Sequence, residues 1–310
     1  MAQGGVRASL APCFRKNDMK KTIKTVGVFG KYRDASIGEH IVRLTQFLQE
    51  RQLSVLMDEA TADRIGKPFG PGQTRDVICH AIDLAIIVGG DGTLLNAARG
   101  LAACHVPIIG VNLGRLGFLA DIPAEHMTEE IRKILDGDYQ TEKRLLLQAE
   151  VMRKGKIVHT ANAFNDVAVG KGELARMIEF ETYIGGEFVN DTRGDGIIVA
   201  SPTGSTAYAL SAGGPILHPA LPAIVIVPIC PHTLSNRPIV VGAESIIEIV
   251  ITGAVNQRAH VTFDGQSTYS LEDHDRIYVR RSEHDVELIH PSRRSHFEVL
   301  RIKLGWGESY

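Results

Sequence analysis

An unbroken apolar run, residues 84–88, stops at Gly89-Gly90-Asp91-Gly92-Thr93. Glycines there let the backbone turn sharply and come close to a ligand. Leu94, Leu95, Ala97, Ala98 and Leu101 then predict a helix, with Gly92 and Thr93 at its N-terminus. Free N–H groups and the positive end of the helix dipole make that place attractive to phosphate. Asp91 is out of character in such a turn. A carboxylate repels an anion unless it binds a metal, takes a proton or accepts a hydrogen bond from a sugar hydroxyl. The plainer alternative is a strand-to-helix turn in which Asp91 caps the helix.

A second dense stretch starts at Arg193-Gly194-Asp195-Gly196. It passes through apolar residues 197–200 into Ser201-Pro202-Thr203-Gly204-Ser205-Thr206-Ala207-Tyr208-Ala209-Leu210-Ser211-Ala212-Gly213-Gly214-Pro215. Thr203, Ser205 and Thr206 supply short donors and acceptors. Tyr208 and Ser211, three apart, share one face of a short helix and offer a flat ring beside a hydroxyl, suited to a stacked base. A capped Ser/Thr turn with a packed tyrosine fits the same residues. Asn165-Asp166 stands at the mouth of a strand. One carboxylate can accept from both hydroxyls of a ribose diol, and an amide both donates and accepts at a purine edge. Neighbours on a regular strand point to opposite faces, so both meet one ligand only where the strand ends or bulges. An ordinary turn is the alternative, and Asp264-Gly265-Gln266 reads first as a hairpin turn. The chain has no GxxxxGK[ST], no GxGxxG opening a first helix, and no protein-kinase catalytic loop with DFG. The histidines are dispersed, and Cys230 has no identifiable base partner.

These residues need a scaffold. Strand patterns at 25–30, 53–57, 84–88 and 106–112 alternate with helical ones near 37–48, 75–81 and 94–101, and a Gly/Pro-rich loop covers 66–72. Residues 123–135 predict an amphipathic helix with Pro123 in its first turn. Such alternation implies a parallel α/β sheet with ligands at the carboxyl ends of its strands. A second glycine-bearing loop, 113–119, follows another strand. From about Thr141 short strands dominate: 145–152, 166–169, 177–184, 197–200, 224–227, 246–252, 260–263, 276–280 and 286–289. The expectation is a disordered tail over 1–21, an α/β phosphate-loop domain over 22–140 and a β-rich domain over 141–290. Residues 291–310 form a last segment, within which 297–306 has no clear pattern.

The formal charge of -2 gives no electrostatic reason to expect nucleic acid. No apolar run approaches the roughly 20 residues that span a bilayer, so no membrane partner is expected. Cys13, Cys79, Cys104 and Cys230 lack CxxC pairing, which argues against a zinc site and a disulfide framework. With no signal-peptide core, a cytoplasmic location is expected.

In order along the chain, Gly89-Gly90-Asp91-Gly92-Thr93, Asn165-Asp166, Asp195-Gly196, Pro202 to Tyr208, Gly213-Gly214-Pro215 and Asp264-Gly265-Gln266 resemble the NAD kinase family in its bacterial form. The likeness covers roughly residues 22–306. Phosphofructokinases and lipid kinases have similar glycine motifs, whereas Pro202-Thr203-Gly204-Ser205-Thr206-Ala207-Tyr208 is far more specific. The resemblance implies phosphorylation of the 2′-hydroxyl of the adenosine ribose of NAD by ATP, giving NADP and ADP, with a divalent cation such as Mg2+. It also implies a C-terminal β-sandwich-like domain, return of the final segment to the first domain, and a homodimer or homotetramer. Carried over by position, Asp91 is the general base, and Asp91 and Gly92 contact NAD. Asn165, Asp166, Thr203, Thr206, Ala207, Tyr208, Ala209, Leu210, Ser211 and Gln266 hold the nucleoside. Arg176, Arg193 and Asp195 bind near the other end. This chain has Asn-Asp where many members have Asn-Glu. The rival readings are a lipid kinase of the diacylglycerol or sphingosine type, and a non-catalytic dinucleotide-binding sensor.

Overall fold

The computed structural model describes residues 15–16, 23–30, 37–66, 69–114, 116–172, 177–253 and 259–306. Its first half contains β1 (Arg15–Lys16), β2 (Thr25–Gly30), α1 (Ile37–Glu50), β3 (Ser54–Met57), α2 (Glu59–Arg64), α3 (Arg75–Ala81), β4 (Leu84–Val88), α4 (Asp91–Leu101), β5 (Ile108–Asn112), β6 (Ile122–Pro123) and α5 (Met127–Leu135). The parallel order is β3-β2-β4-β5. β4 and β5 are buried at every residue, because helices cover both faces. On one face α1 lays Ile37, Ile41, Leu44 and Leu48 over Val26, Val28 and Ile86. On the other, Ile78 of α3 and Leu94, Ala98 and Leu101 of α4 cover Phe29, Ala85 and Ile87. Each of the larger of these side chains contributes roughly 1.5–3 kcal/mol, which outweighs helix propensity and fixes where α4 starts relative to β4.

The second half contains β7 (Tyr139–Arg153), β8 (Lys156–Ala163), β9 (Asp166–Lys171), β10 (Ile178–Ile184), β11 (Glu187–Gly194), β12 (Gly196–Ala200), α6 (Tyr208–Ser211), β13 (Ala223–Ile229), β14 (Ile239–Gly242), β15 (Ile247–Ile251), β16 (Ala259–Phe263), β17 (Ser267–Ser270), β18 (Arg276–Pro291) and α7 (His296–Leu304). β18 joins the halves. It runs parallel to β5 at Leu288 and Ile108, and antiparallel to β7 and β15. One twelve-stranded sheet thus runs from the parallel strands out to β10 and β11. A six-stranded antiparallel sheet, β14-β13-β12-β9-β16-β17, packs against its antiparallel part. Val167, Val169, Val199 and Val261 from one layer meet Val151, Phe180, Ile249 and Ile277 from the other.

Several sequence expectations change. Pro123 does not open a helix: Ile122 and Pro123 pair with Val111 and Asn112, a short 3-10 turn follows, and α5 begins at Met127. Strands expected at 276–280 and 286–289 are one, β18, irregular between Arg281 and Asp285. Residues 297–306 lie largely in α7, which buries His296, Val299 and Leu300. The Arg294 guanidinium just before it donates to the Phe118 carbonyl at 2.6 Å, bringing this segment to the first half. The strands β8, β11, β14 and β17 have no counterpart among the expected ones. All are edge strands with few buried residues, so they carry no two-residue apolar alternation. Residues 15 and 16 of the expected tail pair with Thr141 and Gln140 of β7. The remainder of 1–21 lies outside the described residues. The cysteine reading is also corrected: Cys79 and Cys104 form a disulfide between α3 and the turn after α4, with Cα atoms 5.8 Å apart. Their partnership depends on helix packing, which no short spacing motif encodes.

Candidate active site

The carboxyl end of β4 delivers Asp91 as the first residue of α4. Gly90 is the N-cap, in extended conformation, and its carbonyl accepts from the N–H groups of Thr93 and Leu94 at 3.0 and 3.2 Å. Asp91 therefore does not cap its own helix. Its Oδ2 accepts from the Phe118 N–H at 2.8 Å, and its Oδ1 from those of Leu119 and Ala120, both at 3.1 Å. The second glycine-bearing loop thus cradles the acid of the first. Gly117 is required there, since a Cβ on it would lie 2.1 Å from Asp91 Oδ1. Of roughly four lone-pair positions on a carboxylate, three are used, and about one remains, on Oδ2.

Asn165 and Asp166 sit where β9 begins, and the acid of the β16–β17 hairpin shapes that mouth. Asp264 and Gly265 both have positive φ, 52° and 61°, which turns the Asp264 side chain back under the strand. Its Oδ1 accepts from the N–H groups of Asn165 and Asp166 at 2.7 and 3.1 Å, and its Oδ2 from Phe164 at 3.0 Å. Arg99 of α4 pairs with the same Oδ2 at 2.5 Å. The Arg99 Nη2 donates to Gln266 Oε1 at 2.7 Å, and Gln266 Nε2 donates to the Gly92 carbonyl at 2.8 Å. Asp166 is 5% exposed. Burial, and then the charge of Asp264, push its carboxyl up to about 7.

The 201–211 turn rests on this mouth. The Ser201 N–H donates to the Asn165 carbonyl at 2.9 Å. Gly204 is packed so closely that a Cβ would lie 2.0 Å from the same oxygen. Ser201 and Ser205 are structural: their hydroxyls donate to the carbonyls of Phe164 and Pro202, both at 2.6 Å. The Thr206 hydroxyl donates to the Thr203 carbonyl, and Thr206 and Ala207 are half-buried. Ala209 is the buried anchor of α6, with Leu210 half-buried beside it. Tyr208 and Ser211 are exposed on one face, with 48% of Tyr208 open to solvent. Thr203 is buried and accepts from Arg144 at 3.2 Å. Arg144 pairs with Glu142 at 2.7 Å, and Glu142 with Arg294 at 3.4 Å, so buried charges link Thr203 to the Phe118 loop that holds Asp91. Burial alone would raise Glu142, but His290 and Arg144 hold it down at about 2.

The structure gathers Asp91, Gly92, Asn165, Asp166, Thr203, Gln266 and the Thr206–Ser211 run around connected loops. It does not bring Arg193 and Asp195 there. In the β9–β12 ladder Ala200 pairs with Asp166 and Gly196 with Gly170, so Asp195 adjoins the far end, roughly 14 Å away at strand spacing. Asp195 pairs with Lys171 at 2.7 Å, and Arg193 with Glu179 at 3.5 Å. Arg176 lies outside the described residues. Sequence reasoning missed Arg99, an ordinary basic residue in a helix, and treated Asp264 only as a turn residue. Among the described residues, one group of three His, Cys, Asp or Glu side chains lies close together, Cys79, His80 and Cys104 near the other end of α4, and its two sulfurs are spent in the disulfide.

Comparison with known proteins gives the family. Residues 26–139 match the model of the ATP-NAD kinase N-terminal domain, and residues 164–291 that of the ATP-NAD kinase C-terminal domain. The chain is 48% identical to the NAD kinase of Nitrosospira multiformis over 288 residues, covering 93% of this chain and 97% of that one. It is 49% identical to the NAD kinase of Chromohalobacter salexigens over 284 residues, covering 91% and 97%. Among solved structures, yeast NADH kinase complexed with NADH superposes with a TM-score of 0.87 at 26% identity, covering 96% of this chain and 92% of that one. An NAD kinase from Archaeoglobus fulgidus in complex with ATP gives 0.70 at 27% identity, covering 91% and 98%. Family models matching both halves, and relatives 48 and 49% identical over more than nine-tenths of the chain, lead to one conclusion: this chain belongs to the NAD kinase family.

Proposed function

We propose that this chain transfers the γ-phosphoryl group of ATP to the 2′-hydroxyl of the adenosine ribose of NAD, giving NADP and ADP. The observation that carries the reading is Asp91: an acid at a helix N-terminus, held by three backbone N–H groups, with about one acceptor position left. That position takes the hydrogen bond of the 2′-hydroxyl. Phosphoryl transfer has a loose transition state, so aligning the attacking oxygen matters more than making it strongly basic. Asp91 orients the hydroxyl and takes its proton late. Gly92 and the first turn of α4 favour the phosphate side.

Asn165 recognises the purine edge, Asp166 accepts from the ribose, and Tyr208 offers its exposed face for stacking, with Ser211 beside it. Thr203, Thr206, Ala207, Ala209, Leu210 and Gln266 line the same nucleoside. Arg176, Arg193 and Asp195 serve the far end of the dinucleotide at the boundary of a homodimer or homotetramer. A divalent cation, Mg2+ by its preference for phosphate oxygens and water, neutralises phosphate charge when bound. The enzyme works in the cytoplasm, where both substrates are at hand.

Radiolabelled ATP offered with NAD or with diacylglycerol tests the reading. Label in NADP is expected. Label in the lipid would favour the lipid-kinase alternative, and NAD binding without transfer would favour a sensor.

A further inference from the structure

We propose that Arg99 is a positioning residue that sets the separation between Asp91 and the Asn165–Asp166 pair. The inference rests on the reading above, in which Asp91 aligns the 2′-hydroxyl and the pair holds the nucleoside.

The two parts of the candidate site belong to different halves of the fold. Asp91 opens α4 in the parallel half, and Asn165–Asp166 opens β9 in the antiparallel half. Arg99 lies eight residues along α4, about 12 Å from its start. Its side chain is 14% exposed, and its planar fork is divided between two partners. One arm pairs with Asp264 at 2.5 Å and the other donates to Gln266 at 2.7 Å. Gln266 returns to the Gly92 carbonyl, beside Asp91, at 2.8 Å. A closed loop results, from the first turn of α4 through the hairpin and back to the same helix.

Asp264 explains how this reaches the substrate. Its side chain is fully buried, and its roughly four lone-pair positions are filled by three backbone N–H groups and Arg99. Those N–H groups belong to Phe164, Asn165 and Asp166, so the carboxylate that Arg99 pins also dictates the backbone of the nucleoside mouth. The hydrogen bonds from Asp264 to these three residues lie within the second half. The Arg99 fork and the Gln266 bond tie that mouth to α4. Arg99 also pairs with the charge of Asp264, which lies close enough to Asp166 to influence it electrostatically. A lysine can supply the charge but cannot reproduce the two-armed geometry.

The expected consequence is selective. Loss of Arg99 disturbs where the ribose sits relative to Asp91 and leaves the phosphate turn, held by Val111, Phe118, Leu119 and Ala120, intact. Kinetics of Arg99→Met and Arg99→Lys, with melting temperature as a folding control, test this. Arg99→Met should lower kcat/KM for NAD at least tenfold while KM for ATP stays within twofold. Arg99→Lys should fall between it and wild type. Asp264→Asn added to Arg99→Met should cost little more than either alone, because both break one link. A folded Arg99→Met enzyme with kcat/KM for NAD within twofold of wild type would overturn the proposal. So would equal rises in KM for both substrates, the mark of general loosening. Should Arg99→Met not fold, Arg99→Lys decides, and unchanged NAD kinetics in it would overturn the proposal. The parent reading is tested separately. A wild-type chain that makes no NADP removes that reading, whereas wild-type turnover with an unaffected Arg99 variant removes only this inference.

Discussion

The candidate site contains two aspartates in opposite surroundings. Asp91 is partly exposed and held by three backbone N–H groups from a neighbouring loop. Asp166 is buried, with the Asp264 charge close by, and its carboxyl is pushed up to about 7. The same side chain is an aligned acceptor at one site and a group that titrates near neutrality at the other. The difference comes from the backbone. Asp91 is gripped by amides of the loop that follows β5, whereas Asp166 shares the face of β9 that Ala168 turns away from the inter-sheet core toward Ala200 and α6, and is buried there.

This contrast can be broken first at Asp91. Asp91→Asn keeps the shape but turns one accepting oxygen into a donor and removes the base, and should cost about 10²–10⁴-fold in kcat with NAD affinity little changed. Wild-type turnover in that variant would make the two acids equivalent. The next effect is at Asp166. Its folded value lies above the ordinary 3.8, so the folded chain keeps a proton that the unfolded chain releases. Stability from this group is fully present below about pH 4 and falls as pH rises to about 7, by about 4 kcal/mol at most. Asp166→Asn should flatten that slope in denaturant melts taken from pH 5 to pH 8. In the wild type, KM for NAD should fall as pH rises through about 7, because the ionised form accepts from the ribose.

The disulfide sharpens the comparison, since it closes only the segment that carries the first loop. Cys79 and Cys104 are 25 residues apart and enclose β4, Asp91 and α4. Loop-closure entropy gives roughly 3 kcal/mol, so dithiothreitol should lower Tm by roughly 5 °C. The smallest effects come from two glycines. Gly117→Ala drives a methyl into the Asp91 carboxylate and should act mainly on kcat. Gly204→Ala drives one into the Asn165 carbonyl and should act mainly on KM for NAD. Each should cost about 1–3 kcal/mol in urea melts.

Much of this was legible in the sequence, for identifiable reasons. The continuous apolar run at 84–88 is what a strand buried on both faces requires, and the glycines after it mark the turn. The Ser/Thr-rich stretch after residue 200 announced the second loop. Asp264, Arg99 and the amides of Phe118, Leu119 and Ala120 were not legible as site-builders. Their roles come from contacts 27 to 165 residues apart in the chain, and each alone is an ordinary turn acid, helix cation or loop amide. The edge strands were hidden for a related reason, because exposed residues need not alternate.

The central claim concerns one oxygen atom. Turnover of NAD with ATP, followed by phosphorus NMR and phosphatase mapping of the purified product, locates the new phosphate. The account predicts a monoester on the 2′-oxygen of the adenosine ribose, formed by wild type and nearly absent with Asp91→Asn. A phosphate at the 3′-oxygen, or undiminished 2′-transfer by that variant, would contradict it.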